Sequence, residues 1–285
     1  MKPVRLNLVR RFVLWWMAET PYVTASISID FSTALAYLER LNRSQPRVSI
    51  QHLFSAAVAR AYTEHPVANQ RIVGGRIYQA PNVGIAMPVD LLGRKGEQIK
   101  GEVTMMALRK VETLSLRRIA ELTRRQVGAE REGKSTDPLV DTMWKLAQGT
   151  PGPLQRLTWR SVGRMAHVGL LRRFVWKQAP ITTAVTNPGS TYEGSVKVLF
   201  RGASIQPPSK FLHIGSLWGL SGIQQEAVVM DDGSIEARPM LPITFTWDHR
   251  LFDGVMASRV IRALVVALEN PEDSFGVDGE KVIAA

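Results

Sequence analysis

The chain has no cysteine among its 285 residues, which excludes disulfides, thiolate metal sites and a cysteine nucleophile. That absence suits a reducing compartment without demanding one. No apolar stretch approaches the roughly 18 residues of a membrane span, so no integral membrane segment is predicted. The run Phe12-Val13-Leu14-Trp15-Trp16-Met17-Ala18, behind Lys2, Arg5, Arg10 and Arg11, is too short and too rich in Trp for a secretory leader. It reads as the first amphipathic helix of a cytoplasmic protein. No Gly-rich phosphate loop follows the first strand, and Gly74-Gly75 fits neither nucleotide fingerprint, which argues against a nucleotide-dependent kinase or dehydrogenase. None of His52, His65, His167, His213 and His249 makes a metal-ligand spacing with another, so no metal is expected. Acidic side chains are missing altogether from 142–180.

What the chain does have is positive charge. The net charge is +11, and the segment 142–180 carries Lys145, Arg156, Arg160, Arg164, Arg172, Arg173 and Lys177 without a compensating acid. Such a block creates a field that attracts anions. No recognised nucleic-acid module accompanies it, and no nucleic-acid partner is expected.

Hydrophobic periodicity gives the organisation. Strands are predicted over 24–29, 71–78, 82–88, 182–186, 196–200, 211–217, 227–230 and 234–247, the last bent at Pro239 or Pro242. Ala80-Pro81 is read as the turn between the second and third, and Asp232-Gly233 as a hairpin turn. Helices are predicted over 31–41, 49–64, 113–130 and, rich in basic residues, between Pro153 and Pro180. Early helices and late antiparallel strands imply an α+β or mixed-sheet α/β fold.

The most informative stretch is Thr246-Trp247-Asp248-His249-Arg250-Leu251-Phe252-Asp253-Gly254. It joins an alternating strand to a helix whose apolar residues include Met256, Val260 and Leu264, and such loops are a usual place for chemistry. A neutral imidazole there can take a proton near pH 7. The same residues have a purely structural reading. Asp253 at a helix start is capping geometry, and Gly254 would admit the chain to the helix without a side-chain clash. On local physics alone the two readings stand equal.

His249-Arg250-x-x-Asp253-Gly254, preceded by Asp248, resembles the active-site motif of the 2-oxo acid dehydrogenase acyltransferases (dihydrolipoyl acyltransferase catalytic domains). It is also similar to the His-x-x-x-Asp-Gly motif of chloramphenicol acetyltransferase. Other segments match in family order: Arg10-Arg11-Phe12-Val13, Thr20-Pro21-Tyr22-Val23-Thr24, Pro66-x-x-Asn69, Asn82-Val83-Gly84-Ile85-Ala86, Thr186-Asn187-x-Gly189-Ser190, Pro207-Pro208 and Ile214-Gly215. The resemblance implies a chloramphenicol acetyltransferase-like two-layer sandwich with a mixed β-sheet. It implies a single domain over 1–285, with a helical insertion at about 132–178. It implies acyl transfer between coenzyme A and a thiol or hydroxyl acceptor. His249 would be the general base, Thr186 the oxyanion donor in place of the family's serine, and Asp253 an organiser of the loop. Arg10 is expected to pair with Asp253, Gly254 to shape the loop, and Asn187, Gly189 and Ser190 to line the substrate site. Family sites lie between subunits of a homotrimer, so His249 and Thr186 would come from neighbouring chains. A tail without the apolar ending of cage-forming members predicts an isolated trimer.

The chain departs from the family pattern in three places. No lipoyl domain is evident, so no lipoyl group is expected on this chain and the acceptor is open. Asp90-Leu91-Leu92-Gly93-Arg94-Lys95-Gly96 replaces the family's Gly-Leu-Val-Val-Pro stretch, which leaves the substrate open. The basic insertion reads either as a solvated helical hairpin covering apolar surface or as a dock for an acidic carrier protein or anionic membrane. A non-catalytic trimeric scaffold that gathers acidic partners is the competing function.

Overall fold

The computed structural model describes residues 2–3, 21–90, 103–132, 180–189, 201–203 and 213–284, with isolated positions at 149, 151, 154, 157–158, 160–161 and 164–165. The elements are strands β1 (Lys2–Pro3), β2 (Tyr22–Asp30), β3 (Gln70–Val73), β4 (Arg76–Gln79), β5 (Ile85–Asp90), β6 (Val103–Leu108), β7 (Thr183–Thr186), β8 (Ser216–Leu220), β9 (Gln224–Val229) and β10 (Ile235–Asp248). The helices are α1 (Ser32–Leu41), α2 (Ile50–Glu64), α3 (Leu116–Arg131), α4 (Gly254–Glu269) and α5 (Pro271–Phe275). A seven-stranded mixed sheet runs β2-β10-β8-β7-β5-β6, with β9 paired to the first half of β10, and a second sheet runs β1-β4-β3. β5, β7 and β8 are parallel neighbours, while β10 is antiparallel to β2, β8 and β9. The α/β class with a mixed sheet is therefore as the sequence implied.

Helices α2 and α4 begin where a side chain satisfies one of their first amides. Ser49 caps α2 by accepting the His52 N–H, while His52 Nδ1 accepts the Ser49 N–H, which satisfies two otherwise open donors. Asp253 caps α4 by accepting the Met256 N–H at 2.9 Å. α2 and α4 pack together over one face of the sheet, burying Leu53, Phe54, Val58, Val260 and Leu264 completely.

The strands differ from expectation in three places. The stretch 71–78 is a hairpin, not one strand. Gly74 and Gly75 take φ of 57° and 69°, the two positive values a tight two-residue turn needs. β6 was not foreseen, and it pairs with β5 at the sheet edge. The strand expected over 211–217 begins only at Ser216. Gly215 just before it is squeezed, since a Cβ there would lie 2.7 Å from Leu251 and 2.8 Å from the Gln70 carbonyl. β10 runs fourteen residues through Pro239 and Pro242 without interruption. Each proline sits where a ladder ends. The β9 pairing stops at Met240 and the β8 pairing starts at Ile243. The Pro242 carbonyl accepts Ser221 N–H on that side, so its missing amide faces the gap. Pro239 lies one residue past the β2 ladder.

Both faces of β10 are covered from Leu241 to Asp248. On one face Phe245 stacks on Trp218 at 3.8 Å, and Phe245, Trp247 and Phe252 continue the stack at 5.2 and 6.2 Å. The other face carries Thr244, Thr246 and Asp248. Their polar atoms meet the Ala203 carbonyl, Thr24 Oγ1 and His213 respectively, as burial of polar groups requires. Among the described residues no helix is long and apolar enough to cross a membrane.

Candidate active site

His249 follows the last residue of β10, and its ring is half-buried. The aromatic stack beneath the loop folds Phe252 back over Trp247, and Leu251 and Phe252 are both fully buried. The backbone is held at each step: Asp248 N–H donates to Gly215, His249 N–H to Pro21 and Leu251 N–H to Asp248, each at 2.9 Å.

Under this loop lies a charged cluster that sequence reasoning missed. Asp248 is fully buried, with Arg250 Nη2 at 2.6 Å and His213 Nε2 at 2.8 Å from its Oδ2. Burial pushes the Asp248 carboxyl up, but hydrogen bonds from His213 and Arg250 outweigh it and hold the pKa at about 2. Burial pulls His213 below its ordinary value against the pull of Asp248, with Arg71 and Arg250 adding to the fall. Arg71, 1% exposed, is itself brought down to about 10 by burial. Tyr22, opposite Asp248 in the β2–β10 ladder, is raised to about 12 by burial and by that carboxylate. No spacing signal links His213 to Asp248, 35 residues apart. The one available clue was an aspartate closing a strand whose last eight residues, Leu241 to Asp248, hold no other charge, since a buried carboxylate requires partners.

Thr186 closes β7, half-buried, and registers with Gly219 of β8, which registers with Thr244 of β10. Gly219 must lack a side chain, since a Cβ there would meet Thr244 Oγ1 at 2.6 Å. Asn187 follows and lines a surface cleft of about 570 Å³ with Leu35, Leu38, Asn42 and Ile50. Gly189 is packed on the Ser221–Gly222 peptide, where a Cβ would fall 2.0 Å from the Ser221 carbonyl carbon. Ser190 and Arg10 lie outside the described residues, as do 91–100 and most of the basic segment. Asp253 is an exposed helix cap. Gly254 corrects one expectation: a Cβ added there meets nothing within 4 Å, so no clash inside the chain requires glycine. Among the described residues no three His, Asp or Glu side chains converge as a metal site.

The mixed sheet, with helices on one face and a His-x-x-x-Asp-Gly loop at the end of its central strand, is the fold of the chloramphenicol acetyltransferase-like acyltransferases. A chloramphenicol acetyltransferase superposes with a TM-score of 0.51 at 13% identity, over 92% of this chain and 96% of that one. A probable dihydrolipoamide acetyltransferase from Listeria monocytogenes 4b F2365 gives 0.60 at 18% identity, over 95% of each chain. The sequence profile of the 2-oxoacid dehydrogenases acyltransferase (catalytic domain) family matches residues 1–138 and 183–275, and the chain belongs to that family. The stretch between, 139–182, overlaps the basic segment. A curated relative is the dihydrolipoyllysine-residue succinyltransferase component of the 2-oxoglutarate dehydrogenase complex of Staphylococcus aureus (strain USA300). It is 34% identical over 58 residues, which span 20% of this chain and 14% of that protein.

Proposed function

We propose that this chain transfers an acyl group between coenzyme A and a thiol or hydroxyl acceptor, at sites formed between subunits of a homotrimer. His249 takes the proton from the acceptor as its sulfur or oxygen attacks the thioester carbonyl. Thr186 Oγ1 donates to the oxyanion of the tetrahedral intermediate. On collapse the C–S bond to coenzyme A breaks, and the imidazolium returns the proton to the leaving thiolate. Asn187, Gly189 and Ser190 would border the acyl donor, and no metal takes part in this scheme.

The observation that carries the reading is the strand register. Base and oxyanion donor must both come within hydrogen-bond reach of one reacting group. Thr186 is level with Thr244, five residues before His249 on β10, which separates the two by about 17 Å along the strand. A site using both therefore takes them from different copies of the chain, as a cyclic assembly provides.

The test is incubation of the protein with acyl-CoA donors and small thiols, following free coenzyme A. His249→Ala should lower kcat by about 10²–10⁴, and Thr186→Ala by about 10²–10³, with Thr186→Ser largely retained. A folded His249→Ala variant with undiminished turnover would remove the base assignment.

Docking of an acidic carrier on the basic segment has one supporting observation. Leu154, Leu157 and Met165 are 52, 63 and 41% exposed, beside exposed Arg160 and Arg164. An apolar stripe flanked by cations suits an anionic amphipathic partner. Binding of an acidic carrier protein should then weaken with salt, and the His249→Ala variant should bind it unchanged.

A further inference from the structure

Asp248 and Arg250 bracket His249 in the chain, and their side chains are tied to one another. Asp248 Oδ1 accepts the Arg250 backbone N–H at 2.9 Å and its Nε at 3.0 Å, while Oδ2 accepts Nη2 at 2.6 Å. Arg250 therefore approaches the carboxylate from one side only, the half-exposed side. The approach from the buried side is made by His213, whose Nε2 lies 2.8 Å from Oδ2.

The tautomer of His213 is set by its other nitrogen. Nδ1 accepts the Ile72 N–H of β3 at 3.1 Å, so the proton of the neutral ring sits on Nε2 and points at the carboxylate. Both ring nitrogens are thus engaged, and the residue is 4% exposed. No lone pair is left for a substrate, and His213 is not a second base. It acts through Asp248.

Resting on the reading of His249 as the base, we propose that His213 is a positioning residue. By donating from Nε2 to Asp248 it fixes the Asp248 side chain against the pull of Arg250. Through that clamp it fixes the backbone from which the His249 imidazole projects. Without the donor, the carboxylate is held from the exposed side alone. The residue next to it in the chain moves with it, and misplacing a catalytic group by about 1 Å costs on the order of 10²-fold in rate.

Two substitutions separate the two nitrogens. His213→Asn places an amide oxygen near the Nδ1 position, keeping the Ile72 contact and losing the donor to Asp248. His213→Gln places an amide nitrogen near the Nε2 position, keeping that donor and losing the acceptor. We expect kcat to fall by about 10–100-fold in His213→Asn, with KM within about twofold, and to stay within about threefold of wild type in His213→Gln. The His249 ring signals in proton–nitrogen NMR should shift in His213→Asn and stay in place in His213→Gln. Equal losses in the two variants, the opposite order, or unmoved His249 signals in a folded His213→Asn would each overturn the proposal.

The NMR comparison needs no substrate. It therefore decides even if the wild-type protein transfers no acyl group, a result that would sink the base reading separately. If His213→Asn does not fold, nitrogen-15 shifts of the wild-type ring decide. A protonated Nε2 with a bare Nδ1 supports the proposal, and the reverse tautomer overturns it.

Discussion

At the scale of single residues, a few buried titratable groups make the protein acid-sensitive. His213 is held below 6.5, chiefly by burial, and His52 is brought down to about 4 by burial and by Arg124. In both cases the unfolded chain takes up a proton that the folded one refuses, so stability falls as pH drops below 6.5. Asp248, held at about 2 against an ordinary 3.8, acts at the acid end. Its contribution, about 2 kcal/mol, is complete above pH 3.8 and is lost as pH falls through about 2. Urea denaturation between pH 8 and 4 should show a plateau that turns downward below about 6.5. His213→Gln, with no titratable ring, should flatten the first part of that descent. A descent as steep as wild type's would show His213 already charged in the fold. The loop that carries His249 was legible as a strand–helix junction because strand, motif and helix are contiguous. The His213–Asp248 pair was not, because a contact made across a sheet leaves no periodicity in the chain.

At the scale of elements, two glycines of the candidate site should respond to alanine with opposite signs. Gly189→Ala puts a methyl into the Ser221–Gly222 peptide, which cannot yield as a flexible side chain does. A loss of about 1–3 kcal/mol or more is expected, with the turn bearing Asn187 displaced. Gly254→Ala at the start of α4 meets open space and restricts the unfolded chain, so a gain of about 0.4–1 kcal/mol is expected. Equilibrium denaturation of the two variants measures both, and a destabilised Gly254→Ala would place atoms of a neighbouring subunit in that space. Tyr62 offers a third check. Its buried hydroxyl meets Ser216, Thr183 and the Trp218 indole between α2 and the sheet. Tyr62→Phe leaves these groups short of a partner, at a cost of about 1–3 kcal/mol. Helices α1 to α3 were readable from apolar residues at helical spacing over three or four turns, although α2 is buried on every side from Leu53 to Ala59. The β3–β4 hairpin was missed, although Gly74-Gly75 between Ile72-Val73 and Ile77-Tyr78 is a two-residue turn signal. Ladder ends, invisible in sequence, decide why Pro239 and Pro242 leave β10 unbroken.

At the scale of the whole molecule, the separation of Thr186 from His249 in one chain yields a mixing experiment. Neither His249→Ala nor Thr186→Ala should turn over appreciably alone. Trimers reassembled from equal amounts of both should recover about a quarter of wild-type activity, because one junction in four joins two intact contributors. No recovery on proven subunit exchange would place both residues in one chain's site, against the register. The sequence carried the family and the sheet class, because its motifs fall in order along most of the chain. That His249 and Thr186 come from neighbouring chains was implied there by the resemblance alone, since nothing in the sequence gives the strand register. The same sheet order has a consequence in time. β10 lies between β2 and β8, yet the ribosome makes it roughly 210 residues after β2, a wait of about 10–40 s at ordinary synthesis rates. Throughout that interval β2 lacks its neighbour in the sheet, the condition under which nascent chains pair wrongly. When β10 arrives it closes the sheet and delivers the loop bearing His249 in one event, so no half-made chain carries that loop in its folded form.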